Sequence, residues 1–185
     1  MIVVAEAANG REGIILARSE KPDVIVMDIS MPDLNGMEAT QRIVADNQNV
    51  RIIGLSMNAD RRYVVAMLEA GAAGYVLKNA AAAELIRAIH VVRSDRRYLS
   101  PEVAWPDLEF VSASSASTRE DPLSAREREV LQLLAEGQTS KEIGATLDVD
   151  VATVETHRRR IMAKLKFRTV AELTKYAVRE GLTSS

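Results

Sequence analysis

The sequence predicts an α/β domain built on a parallel sheet, followed by a small all-α domain. Three observations carry that reading. Short apolar strands alternate with helical stretches over the first hundred residues, a serine- and proline-bearing segment then interrupts the pattern, and only helical periodicity follows. Ile2–Ala5, Val24–Met27, Ile52–Leu55 and Tyr75–Leu77 read as strands, and Arg11–Ser19, Met37–Asp46, Asp60–Ala70 and Ala81–Arg93 as helices. Strand, helix, strand in steady succession means parallel pairing through right-handed crossovers. Residues 101–122 contain SASSAST and prolines without periodicity, so they read as a linker with a short turn near Trp105. The domains are therefore expected at 1–100 and 123–185.

Four helices are expected after the linker: Ala125–Glu136, Ser140–Leu147, Val151 to about Lys166 after the turn LDVD, and Val170–Arg179. Ser124 with Glu127 and Thr139 with Glu142 fit capping boxes, Gly137 suits a helix C-terminus, and Asp150 is placed to cap the third helix.

Composition narrows the function classes. The chain has 185 residues, 47% apolar and 27% charged, ordinary values for a soluble globular protein. No apolar run approaches the roughly 18–20 residues of a membrane span, and the first residues lack a signal-peptide pattern, so no membrane association and a cytoplasmic location are expected. With no cysteine there are no disulfides or thiolate metal sites, and two histidines 67 positions apart make a poor zinc site. The net charge of −2 conceals an uneven distribution: residues 1–110 carry net −3 and residues 111–185 net +1. Between Val151 and Arg168 six basic side chains face the single Glu155, a concentration that points to phosphate.

The ends of the strands supply chemistry. Ligands of open α/β sheets bind beyond the carboxyl ends of the strands, and there the sequence places Asp28, Ser56 and Lys78. A carboxylate can attack phosphorus to give an acyl phosphate, an ammonium can offset the incoming charge, and a hydroxyl can hydrogen-bond a phosphoryl oxygen. Each residue alone would read as a solvated loop group; their joint placement outlines a phosphoryl site.

The pieces EAANGREG, PDVIVMDISMPDLNGMEA, IIGLSMNAD and LEAGAAGYVLKNA, in this order, resemble the receiver domains of two-component response regulators, which have a flavodoxin-like parallel sheet. The resemblance covers residues 1 to about 93. It implies that Asp28 is the phosphoacceptor, Ser56 the switch hydroxyl, Tyr75 the switch aromatic and Lys78 the phosphate-binding lysine. It also implies a magnesium site to which Asp28 and the Ser30 carbonyl contribute, and a sensor histidine kinase as phosphodonor. One departure stands out. Family receivers begin with a further strand and helix, and that strand ends in an acidic pair that holds magnesium; here Met1–Ala8 matches the family's second strand, and Glu6 lies in the EAANG turn. The receiver is thus expected to be N-terminally truncated relative to the pattern, the magnesium site incomplete, and phosphorylation of Asp28 slow or absent. In the family's sheet order, 2-1-3-4-5, the missing strand would leave open backbone edges, one sheet face covered by Ala81–Arg93 alone, and either a shift of Ile2–Ala5 into the vacancy or self-association.

From LSAREREVLQLL to TKYAVREGL the second domain resembles the LuxR-type helix-turn-helix of NarL/FixJ response regulators. On a 100° wheel Val154, Ile161 and Leu165 share one face of the third helix, while Thr156, Arg159 and Ala163 point the other way. The resemblance implies a recognition helix in the major groove of double-stranded DNA, with Glu155, Thr156 and Arg159 towards bases and Lys141, Thr153, Arg160 and Lys164 towards phosphates. It also implies a homodimer through the last helix, at Val170, Leu173 and Ala177, with core packing against the third helix as the competing use of part of that stripe. Lys166 stands where the family often has glycine. His157 is expected either to contact phosphate or to pack at the margin of the apolar face, and His90 on a solvated one.

A DNA-binding transcriptional regulator is therefore expected. Two alternatives are a phosphorylation-independent regulator controlled by oligomerisation or abundance, and an interaction module that forms heterodimers with full-length regulators. A phosphatase using Asp28 would need a second acid and a substrate cap, neither visible, so the chain is expected not to be an enzyme.

Overall fold

The computed structural model describes residues 1–103 and 122–183; the linker's Trp105 turn and nearly all of 101–122 lie outside the described residues. The backbone forms two compact units, one carrying a sheet and one the C-terminal helices. In the first, β1 (Val24–Asp28), β2 (Arg51–Ser56), β3 (Gly74–Leu77) and β4 (Tyr98–Leu99) pair in parallel in the order β1-β2-β3-β4. Every residue of β3 is buried, as a central parallel strand between two covered faces should be.

Two strands differ from expectation. Ile2–Ala5 is not a strand: it has no sheet pairing, does not shift in beside β1, and leaves Ile2 87% and Val3 73% exposed. Apolar β-propensity alone does not make a strand, since a strand is stabilised by its ladder and cross-strand contacts. The short β4 was not anticipated because two residues have no periodicity to read. It is fastened instead by the buried Ser100, whose N–H donates to the Tyr75 carbonyl at 2.9 Å and whose hydroxyl donates to Glu84.

Four helices cross between and beside the strands: α1 (Gly10–Glu20), α2 (Gly36–Asp46), α3 (Arg61–Glu69) and α4 (Ala82–Arg93). The first three start at Asn9, Asn35 and Asp60, whose side chains accept backbone N–H groups of the first turn. On one sheet face Ala88 and Val92 of α4 pack on Ile53 and Val76, with Val24 and Leu55 alongside. Val26, two residues from Val24 and on the same face, remains 40% exposed, so α4 covers the start of the edge strand β1 but not its middle.

Gly36 fixes the entry to α2. A Cβ there would lie 2.0 Å from the Asp28 carbonyl oxygen, and the Gly36 N–H donates to the Ile29 carbonyl at 2.9 Å. Only glycine permits this approach, which folds the loop back onto the end of β1.

The helical unit consists of α5 (Ala125–Ala135), α6 (Ser140–Leu147), α7 (Val151–Leu165) and α8 (Val170–Arg179). Both expected capping boxes form, and a third joins Thr169 to Glu172. Asp150 occupies the N-cap position of α7, but its side chain makes no capping hydrogen bond, a correction to the sequence reading. Val130, Leu133, Ile143, Val154, Ile161 and Leu173 form the centre of the core. Gly144 keeps the turn between α6 and α7 tight: a Cβ would sit 2.8 Å from the Val149 carbonyl oxygen.

Lys166 ends α7 in the left-handed conformation, φ 57°. A side chain there costs roughly 1–2 kcal/mol relative to ordinary helical geometry, so Lys166→Gly is expected to stabilise the helical unit by about 1 kcal/mol and so to raise its urea midpoint. Gly36→Ala is expected to do the opposite in the sheet unit, destabilising it by about 1–3 kcal/mol or more through forced overpacking. Urea melts of both full-length variants, followed by amide exchange to separate the two units, check the pair.

Candidate functional site

The register brings the strand ends to one rim. Asp28 aligns with Leu55, Ser56 with Leu77, and the Lys78 N–H donates to the Ser56 carbonyl at 2.8 Å. Lys78 Nζ reaches Asp28 Oδ2 at 2.6 Å, while the Ser30 N–H donates to Asp28 Oδ1 at 3.0 Å. Both partners of the ion pair are about one-third exposed, so it contributes only about 0.2–1 kcal/mol and remains open to competing anions. Ser56 is buried, its hydroxyl accepting the Asn58 N–H at 3.1 Å. Tyr75 is fully buried, and its hydroxyl donates to the Asn58 carbonyl at 2.6 Å; burial pushes its phenol above the ordinary value. The loop from Ser56 to Asn58 therefore links the hydroxyl and the aromatic, a connection through a backbone carbonyl that residue types could not reveal.

The second cluster lies on α7. Val154 and Ile161 are fully buried, whereas Thr153, Arg159 and Arg160 are exposed and Thr156 is half-buried. The Thr156 hydroxyl donates to the Ala152 carbonyl at 2.8 Å, and Arg159 Nε to the Glu155 carbonyl at 3.3 Å. Lys141 is exposed near the start of α6. His157 is half-buried with an unpartnered, buried Nδ1, at the margin of the packed face; His90 is exposed.

Two expected DNA contacts are already engaged within the domain. Lys164 Nζ lies 2.6 Å from Glu127 Oε2, a carboxylate whose side chain is only 5% exposed. Glu155 accepts the Ser140 hydroxyl and lies 3.7 Å from Arg158 Nη1. The sequence marked Glu127 only as a capping residue; a basic residue 37 positions away gave no local sign of pairing with it.

The expected dimer residues need correction. Leu173 and Ala177 are fully buried in the core, packed with α5, and only Val170, 39% exposed, lies at the surface. The apolar stripe of α8 is used to close its own domain.

Comparison with known proteins settles the family. The response-regulator receiver domain pattern matches residues 1–90, and the pattern of bacterial regulatory proteins of the luxR family matches residues 121–177. The chain is 39% identical to the oxygen regulatory protein NreC of Staphylococcus carnosus, over 98% of this chain and 87% of the relative. It is 34% identical to the response regulator UvrY of Escherichia coli, over 99% and 84% respectively. The chain belongs to the LuxR-type two-component response regulators. These are DNA-binding transcriptional regulators with a receiver domain and a helix-turn-helix domain. Among solved structures, RcsB of Salmonella enterica serovar Typhimurium, bound to promoter rprA in the presence of the phosphomimetic BeF3-, matches with a TM-score of 0.56 and 26% identity, over 95% of this chain and 84% of that one.

The magnesium ion associated with receiver domains does not fit the residues present. Among the described residues no group of three acidic or histidine side chains converges on a point. At the rim Asp28 is the carboxylate, with one oxygen on Lys78 and the other on the Ser30 N–H. Magnesium requires near-octahedral oxygen coordination, and one carboxylate with a backbone carbonyl falls well short.

In the helix-turn-helix domain, burial tends to raise the Glu127 carboxyl, but the Lys164 ammonium and the Ser124 N–H and hydroxyl outweigh it and hold it below the ordinary 4.5. A carboxyl depressed by folding adds stability above its unfolded value and loses it as pH falls through the folded one. The domain is therefore expected to lose stability progressively below about pH 4.5, and Glu127→Gln to be less stable at neutral pH with a flatter acid limb. Thermal melts of both forms between neutral and acid pH check this.

Proposed function

We propose that this regulator binds double-stranded DNA in the cytoplasm as a homodimer, inserting α7 into the major groove, and does so without depending on phosphorylation of Asp28. The observation that carries the reading is the division of α7: Val154 and Ile161 are buried, and its arginines at 159 and 160 are exposed beside Thr153 and Thr156. Arg159 and Thr156 are proposed to face base edges. Arg160, Thr153 and Lys141 are proposed to hold phosphates and fix the docking register. With Leu173 and Ala177 used in the core, the dimer contact is proposed on the outer side of α8, around Val170, Ala171 and Thr174. A dimer of this kind implies two half-sites about one helical turn apart.

The receiver rim supports a reduced role for phosphate. A phosphoryl group on Asp28 would be met by Lys78 and Ser56, with no complete metal site to neutralise the transferring charge. A sensor histidine kinase remains the natural donor, but transfer is expected to be slow. Incubating the chain with acetyl phosphate and magnesium and weighing it intact is expected to show little gain of one phosphoryl group; rapid stoichiometric gain would overturn this part of the proposal.

Arg159→Ala is expected to cost about 1–3 kcal/mol on the preferred duplex and to relax sequence preference. Arg160→Ala is expected to weaken all duplexes alike and to reduce the salt slope by about one. Fluorescence anisotropy on preferred and scrambled duplexes over a salt series checks both, and equal losses on the two duplexes for Arg159→Ala would contradict its assignment.

A further inference from the structure

Glu155 is the single acidic side chain between Val151 and Arg168, on the element proposed to meet a polyanion. The sequence reading points it at a base, where a carboxylate can accept from the cytosine amino group. Its surroundings favour a different use. The carboxylate accepts the hydroxyl of Ser140, the first residue of α6, and Arg158 lies one turn along α7 on the same acid. Ser140 is itself held, because the Thr139–Glu142 capping box fixes the start of α6. A carboxylate beside a helix N-terminus also gains from the helix dipole. To reach a cytosine, Glu155 would have to give up all three interactions.

We propose that Glu155 is a positioning residue that ties the start of α6 to α7 and thereby aims Thr156 and Arg159, and that it reads no base itself. Two features fix the relation of the two helices: the Ser140–Glu155 bond joins them at one end, and the Gly144–Val149 approach tightens the turn between them. Within α7, Arg159 Nε donates to the backbone carbonyl of Glu155 itself. A rotation of α7 that broke the Ser140 bond would move Thr156 and Arg159 together. A side chain that fixes geometry should affect affinity without changing which bases are preferred, and its loss should not add to the loss of its partner. The inference rests on the proposed reading of α7 as the base-reading helix.

The test is selection of bound duplexes from a randomised pool, followed by affinity measurement on the selected site. It uses the full chain and its Ser140→Ala, Glu155→Ala, Glu155→Gln, Ser140→Ala/Glu155→Ala and Arg159→Ala variants. Ser140→Ala and Glu155→Ala are each expected to weaken the selected site by about two- to tenfold, and the double variant to be no weaker than the worse single one. Glu155→Gln, which keeps an acceptor for Ser140, is expected to retain most of the affinity, and all four are expected to select the same bases as the unaltered chain. A changed preference at one base pair in Glu155→Ala, or losses that multiply in the double variant, would overturn the proposal. Should Glu155→Ala fail to fold, Ser140→Ala alone decides: weaker binding with unchanged preference supports the latch, and unchanged affinity overturns it. Arg159→Ala separates the two readings. If it leaves the preference untouched, the base-reading assignment of α7 fails, while non-additivity between Ser140 and Glu155 still reports the latch.

Discussion

How α7 is held against its own domain determines what the helical unit can do. Val154 and Ile161 are fully buried, each burial contributing roughly 1.5–3 kcal/mol, and the Glu127–Lys164 pair ties the far end of the helix to the first turn of α5. Glu127 also closes the capping box of that turn, so one carboxylate serves two elements. Removing Lys164 leaves the buried Glu127 carboxylate without its cation, which is why a contact that looks peripheral on a helical wheel is structural. With the inner face and the far end of α7 held in this way, the exposed Arg159 and Arg160 project from a fixed helix, as the proposed base reading would need.

The sheet unit brings the groups of a phosphoryl site together, and among the described residues no cluster of three acidic or histidine side chains joins them. Asp28, Ser56 and Lys78 meet at the rim because the parallel register brings three strand ends level, and Gly36 folds the following loop close behind Asp28. The rim has a nucleophile and a cation but lacks the cluster of acids that would hold a metal. A switch needs an input with differential affinity for two arrangements. On the proposed reading that input is weak here, and control would rest on abundance or assembly.

Much of this was legible in the sequence, for identifiable reasons. Among the described residues, three of the strands and the eight helices follow from apolar periodicity, and Ser124 and Thr139 announce two of the helices through their capping boxes, whereas the caps at Asn9, Asn35 and Asp60 were not read. The rim residues were legible because each follows an apolar run directly. Pairing was not: Ile2–Ala5 has strand composition without a neighbour, and β4 has a neighbour with almost no composition. Long-range polar partners were also hidden. Lys164, Glu155 and the α8 stripe were assigned outward from residue type and resemblance, and only the packing shows that Glu127, Ser140 and the core take them first. At Lys166 the sequence flagged a departure from the family, and the left-handed backbone there gives its cost a physical basis.

On the proposed reading, DNA recognition by α7 operates without Asp28 chemistry. A genomic DNA pull-down with the unaltered chain beside Asp28→Ala, sequenced to the same depth, tests it most directly. The account predicts that both recover the same set of sites with similar enrichment. Loss of those sites in Asp28→Ala, with the helical unit still folded, would contradict it.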